Sequence, residues 1–416
     1  MAGLSTGDGF PDIVVTAVAS STALAPDAED TWRQLLEGQS GIRRLERSFA
    51  EDFDLPVRIG GELRENFDEH LDRVEMRRLS YMQKMSRVLG RRLWEVAGSP
   101  EVDKKRLLVS IGLGLAANED LMYLWDDFLA RGLRSVNPLV IQMHMPNAPA
   151  ASVGLDRQAK AGVISPNLGD ASGGAAVAEA WQAIVLGEAD VAICGGVEHR
   201  IELVPLVAFN NLGWLASNDD DPAGACRPFD TDRDGLVFGE AGALMLIETE
   251  EHAKARGAPI LARLMGAAIT SDSYDLVEPD PSGEQAGEAI SRAIQRAGLK
   301  PTDIGHVNAH ATGTTLGDLA EARAIRQAMG SHVPAVYAPK AALGHSLGAA
   351  GAVEAALTVQ ALRDGVIPPT RNLQTVDPEI DLDVVSDRPR RGDYRYAVSN
   401  SFGFGGSNVA LVFGAP

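Results

Sequence analysis

The chain has 416 residues, of which 45% are hydrophobic, so it can bury a large core in one or more domains. Its formal net charge of −19 makes non-specific binding to nucleic acid or to an anionic membrane unfavourable. With only Cys194 and Cys226, neither a disulfide framework nor a cysteine-based zinc site is supported. No signal peptide and no apolar run of about 18 residues is visible, which predicts a cytoplasmic protein without a membrane span.

Strands rich in β-branched residues alternate with helices along the first part of the chain, which is typical of an α/β protein. The predicted strands cover 13–19, 106–111, 162–164, 190–194 and 243–248, and the predicted helices cover 27–36 and 249–256, with a further helix of very small residues after 167. Two shorter segments are also interpreted. Gly112 and Gly114 predict a tight strand-to-helix turn rather than part of a phosphate loop. The apolar segment with Met143, Met145 and Pro146 predicts core packing, with the lining of a pocket as the alternative.

The pattern begins again at Gly257. Strands are predicted at 260–270, 306–310, 335–338, 395–399 and 408–413, and helices at 285–297 and 319–329. We therefore divide the chain into two α/β halves, residues 1–256 and residues 257–416.

An internal repeat supports this division. The segment that starts at Asp170 aligns with the segment that starts at His345, an offset of 345 − 170 = 175 residues, and Glu179 then falls on Glu354. Each segment opens a helix of Ala and Gly, which can pack close to a neighbouring backbone. A pseudo-two-fold axis would bring the two helix N-termini together, so Asp170 and His345 are predicted to face one cleft.

Four polar residues are candidates for chemistry in that cleft: Asp170, His310, Lys340 and His345. Each lies beside a turn of small residues after a predicted strand, where side chains reach a site at the edge of a parallel sheet. Two imidazoles can donate hydrogen bonds to a forming enolate or oxyanion, and the N-terminus of a helix adds positive potential. The glycine-rich segment 402–406 offers another N–H group and a movable aromatic side chain.

Simpler roles remain open for the same residues. Asp170 is equally well explained as a helix N-cap, Lys340 as a solvated loop residue, and each histidine as a hydrogen-bonded core residue. A metal centre of two histidines and one carboxylate is another alternative, although no pair of these residues has the short spacing of helix-borne ligands. We predict no metal and no other cofactor.

Four segments occur together in one known family: R-P-F-D-T-D-R-D-G-L-V-F-G-E (227–240), N-A-H-A-T-G-T (308–314), K-A-A-L-G-H-S-L-G-A-A-G (340–351) and N-S-F-G-F-G-G-S-N (400–408). Through them the chain resembles the β-ketoacyl-acyl-carrier-protein synthases of the thiolase superfamily, of the elongating KAS I/II type. The segments E-T-E-E-H-A-K-A-R-G (248–257) and D-P-E-I-D-L-D-V-V (377–385) resemble the mycobacterial mycolate-elongating branch of this family. The resemblance implies a thiolase-like fold, with two duplicated α/β halves in a five-layer αβαβα arrangement, and a homodimer.

The resemblance also implies a substrate and a set of roles. The substrates are acyl and malonyl thioesters on the phosphopantetheine of an acyl carrier protein, in fatty-acid or polyketide-type biosynthesis. His310 and His345 match the family's histidine pair, which supports decarboxylation of a malonyl thioester and holds the enolate. Lys340 matches the lysine that orients the pair.

Further residues match the family's substrate-binding positions. Thr312 and Thr314 match the threonines that hold the pantetheine arm, and Phe404 matches the gating phenylalanine, with Phe402 beside it. Carrier proteins are acidic, so docking needs a local basic patch. The clustered residues Arg43, Arg44, Arg77 and Arg78 are candidates for it.

One position departs from the family pattern: Asp170 stands where the family has its nucleophilic Cys. A carboxylate would form a mixed anhydride, which hydrolyses readily, so a stable acyl-enzyme is not expected. Three hypotheses follow. The chain is an enzyme of altered chemistry with Asp170 as base in decarboxylation, condensation or cyclisation, or a non-catalytic chain-length-factor-like partner of a ketosynthase, or a protein that binds acyl carriers. The two histidines and the lysine favour the first.

Overall fold

The computed structural model describes residues 11–115 and 118–416. Residues 1–10, in which the sequence shows no signal peptide, lie outside the described residues. In the described ranges the α-helices are α1 Ala28–Leu36, α2 Ser48–Asp52, α3 Arg73–Arg78, α4 Tyr81–Val96, α5 Asn118–Arg131, α6 Val140–His144, α7 Ala148–Arg157, α8 Ser172–Val185, α9 Leu203–Asn211, α10 Pro222–Ala225, α11 Glu250–Ala255, α12 Glu284–Arg296, α13 Thr315–Met329, α14 Lys340–Leu343 and α15 Ala350–Asp364. Short 3₁₀ turns occupy Phe67–His70, Lys104–Arg106, Leu133–Ser135, Pro301–Asp303 and Leu347–Ala349.

The strands confirm the predicted α/β pattern, with ends that differ by a few residues. They are β1 Ile13–Ser21, β2 Arg43–Arg44, β3 Ile59–Gly60, β4 Leu107–Gly112, β5 Gly162–Ile164, β6 Val191–Val197, β7 Gly242–Thr249, β8 Ala262–Ser271, β9 His306–Asn308, β10 Ala335–Tyr337, β11 Val366–Ile367, β12 Asp383–Val384, β13 Arg390–Arg391, β14 Tyr396–Gly403 and β15 Ser407–Gly414. None of the helices in the described ranges is long and apolar enough to cross a membrane.

Eleven of the strands in the described part of the chain form one mixed sheet, in the order β12-β10-β9-β14-β15-β8-β1-β7-β6-β4-β5. The two halves are joined where β1 pairs antiparallel with β8, with Val14 opposite Arg263. The sheet is therefore continuous across the division at residue 256 that the sequence suggests. The exact limits of the two predicted domains stay a prediction.

The layers follow from which helices contact which strands. Helices α8 and α15 contact each other and strands of both halves, so they form a central layer between two arms of the sheet. Helices α4 and α7 pack on the outer face of the first arm, and α12 packs on β8 and β15 of the second arm, with α13 against α12. This arrangement confirms the predicted five-layer αβαβα fold.

The central helices can approach closely because their facing residues are small. A methyl group added at Gly173 of α8 would lie 2.8 Å from the backbone nitrogen of Ala352 in α15. One added at Gly351 would lie 2.8 Å from the backbone nitrogen of Gly174. The alanine and glycine composition of these helices is thus a requirement of packing.

Two expectations about burial are wrong. The short apolar run 162–164 before the helix of small residues predicts a buried strand, yet Val163 of β5 is 44% exposed, because β5 is the edge strand of the sheet. The segment with Met143 and Met145 was expected in the core, but Met145 is 46% exposed and Ile141 beside it is also exposed. Both segments lie on one side of the molecule, since α6 contacts α7 and α7 contacts β5.

Candidate active site

The strand ends place the candidate residues around one point. Strands β9, β10 and β14 run parallel to one another, so their C-terminal ends lie at the same edge of the sheet. His310 follows β9, Lys340 follows β10, and Phe402 lies near the end of β14. Asp170 and His345 reach the same point from the turns before α8 and α15.

Asp170 contacts His345 and does not cap its helix. The Nε2 atom of His345 lies 3.0 Å from Oδ2 of Asp170, and both residues are buried. Helix α8 begins at Ser172 with Ala171 at the cap position, where no side chain supplies a cap hydrogen bond. Ser172 turns away, since its hydroxyl bonds with the backbone of Leu168 and Gly169. The alternative that Asp170 is a plain N-cap is therefore wrong.

The neighbours of His345 determine which nitrogen carries its proton. The backbone N–H of Leu347 donates to Nδ1 of His345 at 3.2 Å. In a neutral imidazole the other nitrogen, Nε2, then holds the proton and donates it to Asp170. Burial lowers the pKa of His345 despite the nearby Asp170 carboxylate, which favours this neutral form.

His310 has the same tautomer for a different reason. The ammonium group of Lys340 lies 3.2 Å from Nδ1 of His310 and also bonds with the His310 carbonyl and with Glu354. These three acceptors match the three protons of the ammonium group. Burial, together with the charge on Lys340 and the adjacent His345, holds the pKa of His310 well below its usual value. His310 is thus neutral, with its proton on Nε2.

Two buried glutamates support this arrangement and were not identified from the sequence as site residues. Glu321 of α13 accepts the backbone N–H groups of His310 and Ala311, at 2.9 and 2.6 Å, and an amide proton of Asn400 at 3.0 Å. Glu354 of α15 pairs with Lys340. For Glu354, a glutamate among the alanines and glycines that open α15 is a sequence signal that could have revealed it, whereas α13 carries several other charged residues and gives no such signal for Glu321.

The same geometry does not suit a metal ion. The ligand atoms of Asp170, His310 and His345 lie within 4.8 Å of one another, which is compact enough for a metal site. However, a metal-bound histidine donates a proton from its other nitrogen to a neighbouring acceptor. Here Nδ1 of each histidine faces a donor instead, so Nε2 carries a proton and has no free lone pair. The three residues do not fit a two-histidine-one-carboxylate centre.

A cavity of about 270 Å³ opens in front of these groups. Its lining includes Asp170, both histidines and the predicted substrate-binding residues Thr312, Thr314, Phe402 and Phe404. The hydroxyl oxygens of the two threonines are 2.9 Å apart, and the Phe402 ring meets the His310 ring edge to face at 5.7 Å. The structure therefore brings together all eight residues proposed for catalysis and substrate binding, whereas Arg43 and Arg44 of β2 and Arg77 and Arg78 of α3 do not line this cavity.

The two cysteines are not placed for nucleophilic attack. Cys194 lies in β6 and Cys226 follows α10, and both are buried. Burial raises the pKa of each thiol, which disfavours the reactive thiolate. Cys194 is a core residue, as the sequence predicts.

Comparison with known proteins agrees with the fold. Residues 11–253 match the family model "Beta-ketoacyl synthase, N-terminal domain", and residues 261–374 match "Beta-ketoacyl synthase, C-terminal domain". The 3-oxoacyl-[acyl-carrier-protein] synthase 2 of Mycobacterium tuberculosis is 66% identical over 415 residues, which cover 100% of both chains.

Two solved structures are similar over almost the whole chain. A beta-ketoacyl synthase from Burkholderia phymatum has a TM-score of 0.89 at 29% identity, and the match covers 98% of this chain and 100% of that one. The ishigamide ketosynthase/chain length factor has a TM-score of 0.90 at 26% identity, with the same coverage. The chain belongs to the beta-ketoacyl synthase family, and it has the thiolase-like fold of that family.

Proposed function

We propose that this protein acts on malonyl and acyl thioesters of an acyl carrier protein and stabilises an enolate without forming a cysteine-bound acyl-enzyme. The observation that carries the proposal is the pair of neutral imidazoles, His310 and His345, whose protonated Nε2 atoms converge on one cavity. The carrier is proposed because the 66% identical relative is a 3-oxoacyl-[acyl-carrier-protein] synthase.

The chemistry begins with two hydrogen bonds to the thioester carbonyl oxygen. In a malonyl thioester the bond between the methylene carbon and the carboxylate breaks, carbon dioxide leaves, and the electron pair forms an enolate. The two Nε2–H groups hold the negative oxygen in a buried site, where such bonds are strongest. The enolate carbon then takes a proton from water, or attacks a carbonyl group bound in the same cavity. No cofactor of the protein itself is required.

We infer that Asp170 occupies the position of the family's nucleophilic Cys. A carboxylate is a poor carrier of an acyl group, because a mixed anhydride hydrolyses far more readily than a thioester. As a hydrogen-bond acceptor beside His345, Asp170 is instead placed to act as a general base toward a carbon, hydroxyl or amine nucleophile. Condensation or cyclisation would then proceed without an acyl-enzyme.

We also propose that the protein forms a homodimer through the side that carries β5 and α6. An edge strand leaves backbone N–H and C=O groups unpaired, and a second copy can pair with them. Helix α6 lies on this side through α7, and its Ile141 is 70% exposed; in α5, Trp125 is 60% exposed. Large exposed apolar surfaces of this kind mark protein interfaces.

A second hypothesis is a non-catalytic partner of an active ketosynthase. One observation favours it: the ishigamide ketosynthase/chain length factor is among the similar structures. In addition, the Nε2–H group of His345 is already bonded to Asp170, which competes with a substrate oxygen. Retention of the Lys340–Glu354 pair behind His310 weighs against this hypothesis, because a partner without chemistry does not need it.

The proposal is tested by incubating the protein with malonyl-carrier protein labelled in the free carboxyl group. We expect wild-type protein to release labelled carbon dioxide and His310→Gln to release it at least about 100-fold more slowly, since one donor to the enolate is lost. His70→Gln, which changes an exposed histidine outside the cavity, is the matched control. Thermal unfolding of each variant shows that the fold is retained.

The Asp170→Cys variant separates the two hypotheses. We expect it to gain an acyl-enzyme, visible as an added acyl mass on the protein, and to condense acyl and malonyl thioesters. If wild-type protein releases no carbon dioxide above background while Asp170→Cys does, decarboxylation by the natural protein is refuted. The partner hypothesis would then be preferred.

A further inference from the structure

Three aromatic rings meet in the wall of the cavity that contains Asp170. The Phe404 ring stacks on Phe209, with centroids 5.4 Å apart and planes at 29°. The Trp214 ring lies 5.3 Å from Phe404 and 5.9 Å from Phe209. All three side chains line the cavity. The Phe404 ring therefore contacts two other aromatic rings, and one of them belongs to Trp214.

The backbones of these residues differ in how firmly they are fixed. The N–H group of Trp214 donates to the carbonyl of Phe209 at 3.1 Å, and its carbonyl accepts from Leu236 at 2.8 Å. Phe404 lies in the short turn between β14 and β15, followed by Gly405 and Gly406 with φ values of 75° and 73°. Glycine readily adopts such conformations and other conformations as well. Trp214 is thus held through its own backbone N–H and carbonyl groups, whereas the backbone bonds of the turn that carries Phe404 are made by Gly405 and Gly406, to Leu276 and Asp272.

A second, smaller cavity of about 20 Å³ lies behind the same aromatic wall. Phe238 lines this second cavity, and its ring packs 4.9 Å from Phe209. Leu347, next to the His345 loop, lines it as well. The Phe209 and Phe238 rings therefore link the aromatic wall of the first cavity to the lining of the second.

We propose that Trp214 determines the size of the acyl group that the site accepts, by holding Phe404 against Phe209. With the tryptophan in place, the wall stays closed and the cavity admits short acyl groups. Without it, Phe404 loses one of its two ring contacts, and the volume that the indole vacates, together with a displaced Phe404, admits a longer acyl group. Trp214 acts through Phe404 and is therefore a positioning residue. The inference rests on the proposed function in one respect only, that the ligand is an acyl group on pantetheine.

The test measures binding, so it does not depend on catalysis. Acetyl- and octanoyl-pantetheine amides are titrated into the full-length protein by calorimetry. In these analogues an amide replaces the thioester, so the acyl group is not hydrolysed or transferred during the measurement. Wild-type protein is compared with Trp214→Ala and with Trp214→Phe, which keeps an aromatic ring in the wall. Leu212→Ala, an exposed neighbour at the end of α9, is the control for a general effect of substitution there.

We expect wild-type protein, Trp214→Phe and Leu212→Ala to bind the acetyl amide more tightly than the octanoyl amide. In Trp214→Ala the octanoyl affinity should rise at least tenfold while the acetyl affinity changes less than about threefold, because each methylene group newly buried is worth about a factor of four. The proposal does not require that Trp214→Ala also change the chain-length preference of carbon dioxide release.

Several results would overturn the inference. The ratio of octanoyl to acetyl affinity could be the same in wild type and Trp214→Ala, or all variants could bind neither amide. An equal loss of both affinities in Trp214→Ala would show a merely structural role. Failure of the proposed function looks different: the amides bind with the expected preferences, yet malonyl-carrier protein releases no carbon dioxide.

Discussion

Histidines in this protein titrate in opposite directions according to the groups that face them. His310 faces an ammonium group and another imidazole, and its pKa is lowered. His199, beside the end of β6, faces carboxylates instead: Nδ1 lies 2.8 Å from Glu202, and Nε2 lies 3.5 Å from Asp120. Burial opposes the charged form, but these two ion pairs raise the pKa of His199 to about 9. The surroundings therefore favour the neutral form of His310 and the charged form of His199.

The charge on His199 predicts a dependence of stability on pH. Because its pKa is raised from 6.5 to about 9 in the folded state, its contribution is complete below pH 6.5 and is lost as the pH rises through 9. The free energy of unfolding should fall by up to about 3 kcal/mol over this window. Urea unfolding at several pH values measures it.

The His199→Gln variant is the critical comparison. It should unfold at a lower urea concentration at pH 6 and lose little further stability up to pH 9.5. His70→Gln, at an exposed position, should behave as wild type does. An equally steep decline in His199→Gln would show that other groups cause the pH dependence.

At the level of the elements, the site depends on how closely α8 and α15 pack. Asp170 precedes one helix and His345 precedes the other, so the distance between their side chains follows the distance between the helices. Gly173 lies at the crossing, where an added methyl group would meet backbone atoms of Gly348 and Ala352 at 2.9 and 2.8 Å. Because both neighbours are backbone atoms, the helices could move apart only slightly to make room for the methyl group.

Substitution at this crossing should therefore cost both stability and geometry. We expect Gly173→Ala to lower the free energy of unfolding by about 1–3 kcal/mol through overpacking, even though alanine favours the helix. Gly305→Ala is the control, because a methyl group there meets only ordinary contacts at 3.4 Å or more. Its effect should stay within about 0.5 kcal/mol. Chemical denaturation measures the free energy of unfolding of both variants. Equal losses in the two variants would contradict the prediction.

At the level of the whole molecule, the two edges of the sheet differ. Strand β12 ends one side, and β5 ends the other, on the side of α7 and α6, where Ile141 is exposed. The dimer proposal concerns the β5 edge alone. Val333, which precedes β10 near the opposite edge and is 45% exposed, is a control position for substitution of an exposed apolar residue.

Light scattering after size-exclusion chromatography tests the dimer. Wild-type protein should have twice the chain mass of 44.1 kDa, and a double variant Ile141→Asp, Val163→Asp should be monomeric, because charges replace apolar contacts at the proposed interface. Val333→Asp should remain dimeric. A wild-type monomer that forms a one-to-one complex when co-expressed with a ketosynthase would contradict the homodimer and favour the partner hypothesis.

The sequence by itself determined the layered α/β fold and the list of polar residues in the site. Strand and helix periodicity are local properties, and the repeat of small residues at Asp170 and His345 already paired the two helix N-termini. The local pattern could not place β5 at an exposed edge, because an apolar strand at an edge and one in a sheet centre have the same composition.

Only the tertiary structure determined the protonation states and the hydrogen-bond partners of those residues. Proton positions on His310 and His345 follow from donors 30 and 2 residues away in the chain, and no local pattern encodes the former. Glu321, Glu354 and Trp214 enter the site through contacts between distant elements, which only folding creates. Chemistry at this site depends on distances between groups, and the sequence specifies those distances only through the packed fold.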